Sequence, residues 1–309
     1  MIKAKTYLTI MCLLFAVTAS FCQYFRLGKL DEVKEVQKRP VLLMLEEEDP
    51  KVMKKLAKEP AELSAYKEEI KRANEAMQDL VPKYWTLNAT PVTKTKTEID
   101  KMVEGKNKQY AVLALERTKV TDYTKNGAYR YEGASKVIAN IYIDLVENLG
   151  KGNPVYYQNL PNVFPTKGDM VIGIEMMQNF LQARLAGKKR NEISDEADEN
   201  KSLLPGKTLL IDKEDLKKGI SEADIKVAYP FPFKVVDYST IENAILNRDK
   251  SYAIVQIIPL TAGVQANAHI VLNAEDGKSM GYYAPIQATV MGKNNMGRIT
   301  ERHLKNYSK

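Results

Sequence analysis

The chain has 309 residues, 44% of them hydrophobic, which is enough length and apolar content to build a sizeable core without covalent staples. Lysine and arginine outnumber aspartate and glutamate by 46 to 39, but the basic residues are dispersed among acids rather than gathered into a stripe. That pattern excludes nucleic-acid binding as a first reading and suits a solvated surface, with attraction to anionic polymers left open.

The N-terminus is read first, because it sets the compartment. Lys3 and Lys5 precede an apolar stretch from Tyr7 to Ala19, too short to span a bilayer as a helix and of the length found in secretory leaders. Small Ser20 and Cys22 sit at −3 and −1 of a cut before Gln23, so residues 1–22 are expected to be a signal peptide and the chain to be exported, to the periplasm or the cell surface. Two readings compete with it. One is an uncleaved anchor; the other is a lipid anchor on Cys22, which the bulky Phe21 just before it disfavours. With Cys12 and Cys22 both in the leader, the remaining chain has no cysteine, hence no disulfide, thiol nucleophile or Cys-ligated metal.

Residues 23–37 read as a polar lead-in. The run Val41–Leu45 is a short buried strand, and Asp49-Pro50 caps a helix that follows. From Pro60, apolar residues Leu63, Tyr66, Ile70, Ala73, Met77 and Leu80 step by three and four, one stripe of a core-facing helix. Residues 84–87 read as a strand, 97–105 as a helix and 110–115 as a strand. Residues 137–146 and 155–160 bracket the Gly150-Lys151-Gly152-Asn153 turn of a hairpin. The helix expected over 169–185 is apolar on more than one side, so it should be buried on more than one side. Residues 187–204 are charged and read as a surface linker.

Beyond it the same order returns: a strand at 208–211, a helix capped by Asp212, a strand at 233–236, a helix at 240–247, a strand at 252–258, a hairpin across Asp276-Gly277, and a helix from Thr300. Ile99, Val103, Asn107, Lys108, Tyr110, Ala111 and Val112 match Ile241, Ile245, Asp249, Lys250, Tyr252, Ala253 and Ile254, each pair 142 positions apart. The expected fold is therefore α/β or α+β, with two related halves at 38–186 and 205–309. Each half is a small mixed sheet with packed helices in the order β-α-β-α-β-hairpin-α.

Chemistry is sparse. The two histidines, His269 in an apolar strand and His303 on a charged terminal helix, lack the HxxxH and HExxH spacings; they read as a satisfied sheet residue and a solvated one, and no metal is expected. The acidic run Glu46–Asp49 could offer oxygen ligands to a divalent cation, but it lacks a calcium-loop spacing and suits a helix N-terminus. Phosphate-binding glycine loops and nucleophile elbows are absent, so no cofactor is expected.

The skewed residue is tyrosine, with 17 in the chain. Tyr156, Tyr157, Tyr282, Tyr283, Tyr129 and Tyr131 form a candidate binding surface. The Tyr156-Tyr157 and Tyr282-Tyr283 pairs fall on the second arms of the two hairpins, where one of each pair must face outward. The alternative is that tyrosine simply suits half-buried strand edges.

The leading functional expectation is a non-enzymatic, exported envelope protein that binds a protein or polymer partner through the groove between halves or the tyrosine hairpins. It would have no transmembrane span once the leader is removed. A secreted hydrolase using Asp and Glu and a small-ligand carrier are the alternatives.

Overall fold

The structure is a computed structural model that describes residues 25–119, 137–259, 267–283 and 297–308. The protein is mixed α/β. The first unit runs β1 (Phe25–Leu27), α1 (Leu30–Lys38), β2 (Val41–Leu45), α2 (Pro50–Leu56), α3 (Pro60–Tyr84), β3 (Val92–Thr95), α4 (Lys96–Glu104), β4 (Ala111–Lys119), β5 (Val137–Leu145), β6 (Tyr156–Asn159) and α5 (Lys167–Leu185). After α6 (Arg190–Glu199), the second unit runs β7 (Thr208–Asp212), α7 (Glu222–Ala228), β8 (Phe233–Val236), α8 (Tyr238–Leu246), β9 (Tyr252–Pro259), β10 (Asn267–Asn273), β11 (Ser279–Tyr283) and α9 (Glu301–Tyr307).

The sheet orders are β1-β6-β5-β4-β2-β3 and β11-β10-β9-β7-β8. With the extra edge strand β1 set aside, the two sheets are the same object. β2 and β7 each lie between two parallel neighbours, and β4 and β9 each open an antiparallel hairpin. Register carries the correspondence to single residues. Leu42 faces Val92 and Val112, and Leu210 faces Lys234 and Ile254, partners again 142 positions apart.

The helix ends repeat as well. α4 and α8 begin and end at equivalent residues, and Lys106 and Arg248 after them both take positive φ, 52° and 51°. Behind them Asn107 N–H donates to the Met102 carbonyl (3.0 Å) and Asp249 N–H to that of Ala244 (2.9 Å), the same left-handed helix closure. Their side chains then accept from Gln109 and Ser251 N–H, at 2.8 and 2.9 Å.

The units stack in layers. α4 covers the outer face of the first sheet through Ile99, against Leu42, Val112 and Ala114. The other face carries α1, α3 and α5, and α8 of the second unit joins that same core through Ile241, Ala244 and Ile245, together with Leu210, Ile254 and Ile270 of its sheet. α7 and α9 close the far face of the second sheet over Leu209, Ile211, Val255 and Ile257. The groove anticipated between the halves is thus filled by one continuous core.

α5 sits at its centre and is buried on several sides, as its composition foretold. Phe180 meets Tyr156 of the first sheet at 5.3 Å between ring centroids, while Asn179 donates to the Asp276 carbonyl (2.8 Å) of the second unit. Arg248 pairs with Glu175 of α5 and lies 5.0 Å from the Tyr84 ring centroid, so the left-handed turn after α8 also ties the units together.

Three expectations are corrected. The lead-in 23–37 carries β1 and most of α1, with Val33 and Val36 fully buried; Leu30, Val33 and Val36 among charges are too few to announce a helix, yet the i, i+3 valine pair suffices to dock one. Residues 84–87 form no strand: α3 runs through Pro82 to Tyr84, and the strand follows at Val92. The charged segment 187–204 is helical and packs on edge strand β11, with Leu204 buried and Asn200 donating to the Ser279 carbonyl (3.0 Å). Among the described residues no helix is long and apolar enough to cross a membrane. The segment expected to be a leader, with Cys12 and Cys22, lies outside the described residues.

Gly173 is the closest point between α5 and the first sheet. A Cβ there would stand 2.9 Å from Ile141 Cγ2 and 3.0 Å from Leu160 Cδ2. Gly173→Ala is expected to lower stability by about 1–3 kcal/mol in urea denaturation, where the same change in an open helix would raise it by about 1 kcal/mol.

Candidate functional site at the shared carboxyl rim

In the order β3-β2-β4, the chain passes from β2 to β3 through α3 on one face and from β3 to β4 through α4 on the other. The direction of winding reverses between β2 and β4. In open α/β sheets the crevice beyond the carboxyl ends of such strands is where ligands bind. Here that crevice holds Glu46, the residue after β2, and Arg117 on β4.

Arg117 lies on the inward phase of its strand, two residues beyond Leu115. Its guanidinium is bonded to Glu46, reaches Glu69 of α3 at 3.3 Å and donates through Nε to the Val163 carbonyl at 3.1 Å. Arg72, one turn on along α3, binds the same Glu69 at 2.5 Å and donates to the Pro165 carbonyl at 3.0 Å. Asn74 clips the end of β2 to α3, accepting from Glu46 N–H (3.0 Å) and donating to the Glu46 carbonyl (2.9 Å). Burial raises the Glu46 carboxyl above its ordinary pKa, and the charge and hydrogen bond of Arg117 oppose that rise.

The two arginines therefore grip the carbonyls on either side of Phe164, in the loop between β6 and α5. Phe164 itself is 51% exposed, with the Arg117 guanidinium 5.6 Å from its ring centroid. The chemistry is that of an aromatic side chain held out to solvent on a clamped loop.

The second unit reaches the same rim. Thr166 and Asp169 form the capping box of α5, and the Asp169 carboxylate also accepts from Asn162 (2.8 Å) and from the Tyr238 hydroxyl (2.9 Å) at the start of α8. Gly168 N–H donates to Glu242 of α8 at 3.1 Å, and Asn159 at the end of β6 donates to the Pro259 carbonyl of β9 at 2.7 Å. The carboxyl ends of β2, β4, β6, β8 and β9 are thus linked side by side. The register position of Arg117 in the second unit is Pro259, so only the first unit can make the clamp.

The tyrosines fall in different places. Tyr156 belongs to the core: its hydroxyl donates to Gln158, and burial raises its pKa. Tyr157 is half-buried opposite Tyr142, its pKa pushed up to about 12 chiefly by burial. Tyr282 is 41% exposed opposite Ile270. One of the first pair faces in, as strand alternation requires, but register equates Tyr157 with Tyr282 and Tyr156 with Gly281, one place off the pairing expected from sequence. Tyr283 pairs with His269 along the strand; its side chain, with Tyr129 and Tyr131, lies outside what is described.

The acidic run divides its labour. Asp49 caps α2, accepting from Lys51 N–H at 2.8 Å; Glu47 accepts from Thr97 at 2.7 Å; Glu48 meets Lys67 at 3.6 Å. Among the described residues no group of three or more His, Cys, Asp or Glu is placed to hold a metal ion. The histidines do converge, with ring centroids 4.2 Å apart, and His303 is buried rather than solvated, because the charged helix that carries it turns His303, Leu304 and Tyr307 inward.

Sequence reasoning missed Arg117, Glu69, Arg72 and Phe164. Two signals were available: an arginine in the inward phase of a strand, and an aromatic residue between Pro161 and Pro165 in a connecting loop. Comparisons with protein-family models, curated proteins and solved structures return no match for this chain.

Replacing Arg117 by methionine leaves Glu46 and Glu69 without their shared partner. The variant is expected to lose about 2–4 kcal/mol at pH 7 by denaturant titration. The deficit should shrink towards pH 4, because Glu46, whose pKa burial already raises, then takes a proton.

Proposed function

We propose that the chain is an exported envelope protein that acts by binding a protein or polymer partner at the carboxyl rim, with Phe164 as its anchor. The observation that carries this reading is the clamp itself. Two arginines are spent on fixing the carbonyls that flank one exposed aromatic ring. Ordering a contact loop in advance removes the entropy that binding would otherwise have to overcome, and aromatic anchors on such loops dominate many interfaces.

The carboxylates of the same crevice support binding over turnover, since Glu46, Glu69 and Asp169 are each engaged by a guanidinium or by capping donors. The basic n-region and short apolar stretch at the N-terminus support export.

The test places a photoreactive amino acid at position 164 of the full chain in its own host, with position 227 on α7, where Val227 is 82% exposed, as the control. Position 164 is expected to capture one reproducible partner that position 227 does not, and Phe164→Ala should weaken that partner's binding by roughly tenfold or more. Equal capture from both positions, or none from 164, would overturn the proposal.

A further inference from the structure

Outside the rim, a cluster of buried titratable side chains, His269, His303 and Tyr307, lies in the core of the second unit. His303 is the third residue of α9, and its Nδ1 accepts from the Thr300 backbone N–H at 3.1 Å, so the imidazole serves as the acceptor of the helix's own capping box. An Nδ1 that accepts from a backbone N–H carries no proton, and the neutral ring then holds its hydrogen on Nε2. The His269 ring on β10 packs against it at a tilt of 42°, and its Nδ1 shares a 2.5 Å hydrogen bond with Tyr307 one turn further along α9. Both rings are buried, and α9 holds to the second sheet through His303, Leu304 and Tyr307.

Burial and the charge of Arg302 on α9 work against a cation on His303, while the Arg298 backbone and the Thr300 hydroxyl, 3.2 Å from Nδ1, can accept from the ring. Arg298, ahead of α9, spends its guanidinium on the Glu214 and Leu216 carbonyls. Glu301 and Lys305 on α9 point to solvent or its margin, as do Glu222, Asp224 and Lys226 on α7. Tyr229 at the end of α7 and Asp215 before it are buried; the Asp215 carbonyl accepts from Ile299 N–H at 2.7 Å. β11 adds no ionisable side chain besides its tyrosines.

We propose that the His269–His303 pair is an acid-sensitive latch, and that protonating it releases the C-terminal helix α9 from the second sheet while the rest of the molecule stays folded. The proton comes from solvent and lands on His303 Nδ1. There it ends the bond from the Thr300 N–H, leaves the Thr300 hydroxyl as the acceptor within reach, and places a cation against the His269 ring. The lost bond and the buried cation favour the helix undocked, where the imidazole is hydrated.

Burial, the largest cause, and the Arg302 charge lower the His303 pKa to about 4 from the ordinary 6.5, against an opposing hydrogen bond to the Arg298 backbone. A base depressed in the docked state contributes stability that is present above pH 6.5 and is lost as pH falls from 6.5 towards 4. Between pH 7 and pH 5 the undocked population of α9 should therefore rise about 20-fold from His303 alone.

The experiment is hydrogen–deuterium exchange of the full chain from pH 7 to pH 4, with intrinsic rates corrected for pH. The expected result is progressive loss of protection in residues 300–308 while α5 and β4 stay protected. His303→Asn keeps a capping oxygen but cannot take up a proton in this range, and it should hold α9 docked throughout. Protection of α9 that is unchanged down to pH 4, or lost together with α5 and β4, or lost equally in His303→Asn, would overturn the latch.

Discussion

The structure depends on the burial of α5 between two sheets. A helix at the edge of a domain shows one apolar stripe; α5 shows apolar residues around most of its circumference, because it packs on β5 and β6 on one side and on α8 on the other. Gly173 admits the first sheet and Gly168 admits α8, whose Ile245 and Tyr238 would stand 3.2 and 3.3 Å from a Cβ there. Neither unit has a complete core without this helix. The carboxyl rim, the Phe164 loop and the inter-unit hydrogen bonds are all arranged around its N-terminus.

The duplication explains the architecture, and its divergence explains why the two equivalent helices face different surroundings. α4 and α8 occupy equivalent places, but α8 faces the neighbouring unit and α4 faces solvent. Where α8 and the turn after it have Tyr238, Ala244 and Arg248, α4 and its turn have Lys96, Met102 and Lys106. The exposed side of α4 is given over to pairs such as Lys96–Asp100 at 3.0 Å and the neighbouring Lys94–Glu98 at 2.7 Å, which suit a helix facing water. The repeated left-handed turn was put to different uses: Arg248 reaches back to Glu175 and Tyr84, whereas Lys106 stays at the surface.

Much of the fold was legible because strand runs and helix caps are local. Val41–Leu45 and Phe233–Val236 were read to the residue, and the 142-residue offset marked a correspondence that register then extended through both sheets. What stayed hidden was non-local. Val33 and Val36 dock α1 on a core assembled from residues far along the chain, and the hydrophobicity of 187–204 is too low to reveal that Leu204 reaches a second core. The rim was hidden for the same reason: Glu46, Glu69 and Arg117 are separated by 23 to 71 positions, and no spacing rule joins them. The histidines show the limit from the other side, since their meeting across β10 and α9 follows from topology alone.

The central claim is that one core, centred on α5, makes the two units a single cooperative body. It is tested most directly by following both units through the same urea titration. Trp85, buried in the first unit and donating to Asn88 at 2.7 Å, reports one side by fluorescence, and hydrogen exchange of β9 amides reports the other. Coincident transitions are the expected result. A β9 that unfolds at lower or higher urea than Trp85 would contradict the shared core and describe two units that merely touch.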